Sequence, residues 1–352
     1  MTETWVPSWP LIATKNLEIR KRRGLIIVVA LLTVGPTVLI LGLRLIFHVA
    51  DPASYGPAGS PGIFQALANL MAEFGFLSAA ALGASAGTTD LNEGMFRHLV
   101  ITGRSRLALY LARIPAGLAI ILPLVAVAFA ALCLVTSYEG VPQPTTVSLG
   151  GVSVPEHFDQ AELQSWLLQH PRQAANVVPL GPGPAPGVAQ IDSAIDQNIA
   201  GLYQDYVSNE VGGSNPAANE MAKIGLWLTL EVGIGFLVGL GLGSLTGQRT
   251  LTTITLIGLE IIVTPVLAGH VIPYFLDGQR LVVGLAMDQL RPAALAPGTG
   301  GPGGPGPGRV LLGGRGALGI PPMPTWAMIS VIVGWIVGWS VIGAWRMITR
   351  DA

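Results

Sequence analysis

Polarity along this chain is organised on a coarse scale, with long apolar runs separated by charged or Gly/Pro-rich stretches. Six runs stand out, at residues 24–47, 63–87, 107–136, 224–246, 251–275 and 326–345. A helix needs roughly 20 largely apolar residues to cross the hydrocarbon of a bilayer, so the pattern predicts six spanning helices. Gln65, Asn69 and Glu73 interrupt the first half of the second run. Gly35-Pro36, Pro115, Pro123 and Pro265 predict kinks, which neighbouring helices accommodate.

The stretches between the runs carry their own patterns. Residues 87–106, GTTDLNEGMFRHLVITGRSR, form a charged island in which Asp90 can cap a helix with Glu93 at its third position. Gly103 can stop that helix, and Arg97 and His98 lie toward the negative end of its dipole. Leu91, Met95 and Leu99 recur at fours, so the island predicts a surface helix over 88–103 with one apolar stripe against the membrane. At the N-terminus, Trp5, Trp9, Leu11 and Ile12 precede Lys15, Arg20, Lys21, Arg22 and Arg23, the composition of an interfacial helix within residues 1–23. A cleaved signal peptide is the poorer reading, because the following apolar run is too long and His48-Val49-Ala50 lacks the small residue wanted before a cleavage site.

Residues 137–220 read as a small, mainly helical insertion. Val188, Ile191, Ile195, Ile199, Leu202 and Tyr206 step by threes and fours, with Asp192, Asp196 and Asp205 off the stripe. A second helix is predicted over 156–170, including Trp166 and Leu167, the two packing as a hairpin across the proline-rich 179–187. Residues 276–325 begin with an interfacial helix at 279–290 and continue into GTGGPGGPGPGRVLLGGRG, too rich in Gly and Pro to pack.

Composition sharpens the class. Half the chain is hydrophobic (51%) and 11% is charged, which excludes an ordinary soluble globule and a disordered chain. The formal net charge of -1 says nothing about nucleic acid, but the charges are segregated along the chain rather than pooled into a basic surface, so no nucleic-acid partner is expected. The single cysteine, Cys133, lies in an apolar run and cannot form an intrachain disulfide. The N-terminal basic cluster, Arg97, Arg104, Arg106, Arg113, Arg249, Arg346 and Arg350 all fall on one side of a six-span topology, whereas 137–220 holds Arg172 as its one basic residue. By the positive-inside rule the basic side is cytoplasmic, with both termini inside. The resulting division is 1–23 interfacial; 24–136 helices one to three with the coupling segment 88–103; 137–220 extracytoplasmic insertion; 221–275 helices four and five; 276–325 extracytoplasmic Gly/Pro-rich segment; and 326–352 helix six with its tail. The fold class is all-α integral membrane.

Two kinds of residue inside the spans carry candidate chemistry. Gly235, Gly239, Gly243 and Gly247 repeat at every fourth position of the fourth helix, a smooth face that another backbone can approach, in this chain or in a second copy. Gly75 and Gly83, in register with Ala79 and Gly87, do the same on the second helix, and Gly334 and Gly338 on the last. Glu73, Glu231 and Glu260 each cost on the order of 3 kcal/mol in a span unless paired or hydrated. Arg44, near the outer boundary, can reach toward Glu73 or Glu231 as an ion pair; the alternative is a polar lining for a translocation path.

The absences are informative as well. The only lysines are Lys15, Lys21 and Lys223, so no Walker loop is present, and no HExxH occurs. No catalytic, metal or cofactor-binding residues are assigned, and the chain is not itself read as an enzyme.

With these residues in view, the chain resembles an ABC transporter permease of the second exporter type. The likeness rests on the basic interfacial N-terminus, the six-helix layout, and the stretch GTTDLNEGMFRHLVITGRSRLALYLARIPA between helices two and three. There Asp90, Glu93, Gly94, Arg97, Leu99, Gly103, Ser105 and Arg106 stand where that family carries its acidic residue, Gly, basic residue, Leu-rich turn and Ser-Arg step. The large insertion between helices three and four and the Gly/Pro stretch before helix six depart from its simplest members. The resemblance implies a bacterial inner-membrane exporter built with a second permease copy or paralogue and separate ABC ATP-binding subunits that hold ATP and Mg, and the apolar helices with a few buried carboxylates would suit an amphiphilic or hydrophobic cargo. It also implies that Asp90, Glu93, Met95, Arg97, Leu99, Arg104 and Arg106 couple to the ATPase. Two other classes remain open: a membrane-embedded sensor or assembly protein using its outer domain, and an ion-coupled transporter using the intramembrane carboxylates.

Overall fold

The computed structural model describes residues 6–52, 55, 57–92, 105–138, 146–178, 187–213, 215–258, 280–292, 295 and 323–349. The chain opens with α1 (Trp9–Lys21), α2 (Arg23–Thr33), α3 (Gly35–Ala50), α4 (Pro61–Asn92) and α5 (Arg106–Tyr138). A folded insertion follows: β1 (Thr146–Leu149), β2 (Val152–Pro155), α6 (Gln160–Gln169), α7 (Pro171–Val177) and α8 (Val188–Gly213). The chain then returns through α9 (Ala218–Thr246), α10 (Arg249–Ile257), α11 (Val283–Gln289) and α12 (Thr325–Thr349). Four of these, α4, α5, α9 and α12, are long and apolar enough to cross a membrane, and α2 with α3 qualifies as a fifth, bent span. The chain is a multi-pass membrane protein of mainly helical fold. The expected fifth span, 251–275, begins as α10, and most of it lies outside the described residues.

The first span is bent by 46° between α2 and α3. Its cause is Gly35-Pro36: proline has no N–H to give to the preceding turn, and its ring crowds that turn's carbonyl. A hydrogen bond of 2.9 Å between the Thr33 and Ser78 hydroxyls fastens the bend to α4. In contrast, α5 runs as one helix through Pro115 and Pro123.

The central element is α9, which packs most extensively on α4 and then on α12 and α5. Its glycines explain the first of these contacts. A Cβ at Gly235 would lie 2.7 Å from the Phe76 carbonyl oxygen, one at Gly243 2.7 Å from that of Ala84, and one at Gly239 would overlap the Ala80 carbonyl. From the other side, Gly83 meets Phe236 and Leu240 backbone, and a Cβ at Gly87 would lie 2.7 Å from the Leu240 carbonyl. Gly75 faces the Val232 side chain at 2.9 Å. The pairs advance together along both helices, so α4 and α9 run parallel, backbone against backbone, within one chain. Close approach of this kind substitutes dispersion contact for the hydrophobic effect that lipid cannot supply.

Three glycines behave otherwise than expected. Gly247 is not part of the groove: it ends α9 in the left-handed conformation (φ 69°), its N–H donating to the Gly243 carbonyl. On α12, Gly334 and Gly338 would meet nothing within 4 Å. That helix is approached instead at Gly343, by the Tyr110 hydroxyl, while its Trp339 backbone fills the space beside Gly241 of α9.

The insertion has its own core of Val147, Leu149, Val152, Val154, Leu163, Leu167, Ile191, Ile195, Leu202 and Tyr206. The helical stripe is as read from the sequence, but it packs against a β-hairpin as well as a helix. Gly150 and Gly151, both at positive φ, make the two-residue turn, and Val147 pairs with Val154 and Leu149 with Val152. Asp159 and Glu162 cap α6 reciprocally at 2.7 and 2.9 Å. The Tyr206 hydroxyl donates to the Pro155 carbonyl (2.7 Å) and accepts from the Phe158 N–H (3.1 Å), closing the hairpin onto α8.

Candidate functional site

The basic ends of the spans meet where α4 finishes and α5 starts, on either side of residues 93–104. The expected surface helix was to begin at Asp90, but α4 continues through Asp90 to Asn92. Its last turns are held by Thr88 and Thr89 hydroxyls, which donate to the Ala84 (3.0 Å) and Ser85 (2.6 Å) carbonyls. Capping by Asp90 is therefore not what starts a helix here, because the span itself extends past the apolar run. Glu93, Met95, Arg97, Leu99 and Arg104 lie outside the described residues.

Several long-range contacts fix this junction. Arg113 of α5, 2% exposed, donates from Nη1 to the Gly87 carbonyl at 3.2 Å. Its side chain is buried within the bundle and bridges α5 to α4. Arg106 donates from Nη1 to the Ile348 carbonyl at 2.9 Å, tying the first residue of α5 to the end of α12. The N-terminal helix α1 packs on the same end, with Leu11 against Ala108, Leu109 and Ala112, and with Asn16 Nδ2 donating to the Ala116 carbonyl at 2.8 Å. Lys15, the first residue of the N-terminal basic cluster, is buried and paired to Glu18 at 2.8 Å. Lys15, Glu18, Ile19, Ala86, Thr89 and Arg113 line one small cavity there. Four elements are thus locked together immediately beside the segment that joins α4 to α5.

Deeper in the bundle, Glu73 of α4 and Glu231 of α9 are both half-buried, and the parallel register sets them at nearly the same level. Arg44 makes no ion pair with either carboxylate among the described residues. Glu260 lies outside them. No three His, Cys, Asp or Glu side chains gather as a metal cluster among the described residues.

One polar constellation has no local signature in the sequence. The 280–292 segment crosses the end of the bundle opposite the basic one, burying Val283, Ala286 and Met287. The Trp227 indole N–H of α9 donates to the Met287 carbonyl at 3.0 Å, and that of Trp335 in α12 donates to the Leu281 carbonyl at 2.7 Å. Arg291 donates from Nη2 to Asn69 Oδ1 of α4, and its guanidinium carbon lies 5.5 Å from the centroid of Trp227. Within the range 279–290 expected to be helical, Val283–Gln289 is helical as α11, and these contacts fasten it across α4, α9 and α12. No protein-family model matches the chain, and no curated protein is a significant match to it.

Proposed function

We propose that this chain is the membrane-spanning subunit of an ATP-driven exporter of the second ABC exporter type, moving an amphiphilic or hydrophobic cargo across a bacterial inner membrane. The observation that carries the reading is the clamped junction at the basic end. A push on residues 88–103 enters α4 directly, because α4 is unbroken up to Asn92. Arg113 shares that push with α5, and the glycine contacts carry it to α9 along the length of the span. A helix held only by fluid side-chain packing would absorb the displacement, whereas close-packed elements move as units.

In this reading the basic end is cytoplasmic, Glu93 and Arg97 meet a separate ATP-binding subunit, and a second permease copy or paralogue completes the pathway. ATP and Mg reside on the partner. A second reading is favoured by the 146–213 domain, whose own core suits a partner-binding module on the other side of the membrane.

Purification of the tagged chain from its native membrane in a mild detergent separates the two. The exporter reading expects a Walker-motif subunit to copurify with MgATP hydrolysis, and to remain bound after deletion of residues 146–213. Recovery with no such subunit, together with a partner lost on that deletion, would overturn it in favour of the sensor reading.

A further inference from the structure

We propose that Trp227 and Asn69 form a recognition site for an organic cation, occupied in this conformation by the chain's own Arg291. Trp227 is 7% exposed, and its ring carries the guanidinium at 5.5 Å, a distance at which the quadrupole of an indole attracts a positive charge. Asn69 Oδ1 accepts from the same group. One helical turn further into the membrane, on the same faces, stand Glu73 and Glu231, since residues four apart on a helix share a face. An aromatic plate, a carboxamide acceptor and two carboxylates at nearly one level form a set suited to a desolvated cation.

Arg291 reaches this set from another part of the chain. Its segment is fixed by two indole-to-carbonyl hydrogen bonds, from Trp227 to Met287 and from Trp335 to Leu281, and one of them uses the ring that holds the guanidinium. Displacement of the 280–292 segment therefore withdraws the resident cation and frees the Trp227 face in one movement. A lipophilic cation entering from the bundle side takes its place. The ligand class is a monovalent organic cation with apolar surface, because Trp227 stands on a membrane-spanning helix and the segment bonded to its indole buries Val283, Ala286 and Met287. Identifying this ligand with exported cargo rests on the exporter reading, whereas binding itself does not.

Tetraphenylphosphonium and tetraphenylborate have nearly the same shape and opposite charge, so the pair isolates the charge requirement. Equilibrium dialysis against nanodiscs holding the full chain, corrected with empty nanodiscs, measures saturable binding. Arg291→Ala and the similarly sized Arg291→Met are each expected to raise affinity for tetraphenylphosphonium by about tenfold over the unaltered chain. Trp227→Leu in either background should return it to the starting level, and Arg291→Lys should leave it there. Tetraphenylborate should gain nothing. The proposal is overturned if both Arg291 variants bind tetraphenylphosphonium no better than the unaltered chain, if Trp227→Leu leaves the gain intact, or if tetraphenylborate gains equally. Any of these outcomes makes Arg291 a structural clasp, with the exporter reading untouched. Loss of the copurifying ATPase with cation binding retained would remove the exporter reading alone.

Discussion

Gly239→Val is expected to separate α4 from α9 and to yield a chain that no longer survives extraction as a single species. The reason is geometric. Any Cβ at that position overlaps the Ala80 carbonyl, and the obstacle is backbone, so no rotamer change relieves it. Overpacking of this kind costs about 1 to 3 kcal/mol where side chains can adjust, and the upper end applies where they cannot. Gly83→Val should behave alike, since it meets Phe236 and Leu240 backbone from the facing helix. Gly334→Val and Gly338→Val serve as internal controls, because a Cβ at either meets nothing within 4 Å. Resistance to unfolding by sodium dodecyl sulfate, followed by gel-filtration profile, reads the difference. Equal loss from the control pair and the interface pair would refute the assignment of the packing face.

Arg113→Met is the second large effect. The guanidinium is buried, bonds the Gly87 carbonyl, and lines the cavity it shares with Lys15, Glu18 and Thr89. A hydrogen bond to a charged group contributes about 1.5 to 3 kcal/mol, and its loss leaves a buried acceptor without that donor. Destabilisation of about that size is expected in the same denaturation assay, with new protease sensitivity near the end of α4. Arg113→Lys should recover only part, since an ammonium is a compact point donor on a differently shaped stem. A variant as stable and as protease-resistant as the parent would show that the junction does not depend on this bridge.

Four spans and the bent first one were legible because an apolar run of sufficient length has few other uses, and the helix of the insertion because Val188 through Tyr206 keep one period over five turns. Legibility failed where one pattern serves two purposes. Gly247 continues the four-residue spacing of Gly235, Gly239 and Gly243, yet it follows the last helical residue, Thr246, and precedes Gln248-Arg249, the position of a left-handed C-cap. Gly334 and Gly338 share the spacing without a neighbour, since a small-residue face announces room and not an occupant. Asp90 looks like a cap because it begins the charged island, but helical hydrogen bonding does not end where hydrophobicity ends.

The hairpin was within reach of the sequence. Val147, Leu149, Val152 and Val154 alternate about Gly150-Gly151, a strand signal obscured by the stronger helical stripe downstream. Contacts such as Arg113 to Gly87, Arg106 to Ile348 and Arg291 to Asn69 had no such signal. Each joins residues far apart in the chain, and nothing local to either partner specifies the other.

The central claim is that residues 88–103 receive force from a separate ATPase and pass it into the clamped α4, α5 and α9. The most direct measurement is MgATP hydrolysis by the copurified complex in proteoliposomes, comparing the unaltered chain with Arg97→Glu and Glu93→Arg. A charge reversal that sets like charges together at a coupling interface costs several kcal/mol, so a fall of roughly tenfold or more is expected, with the chain still inserted and folded. Hydrolysis at the same rate in the reversed and unaltered complexes would contradict the account.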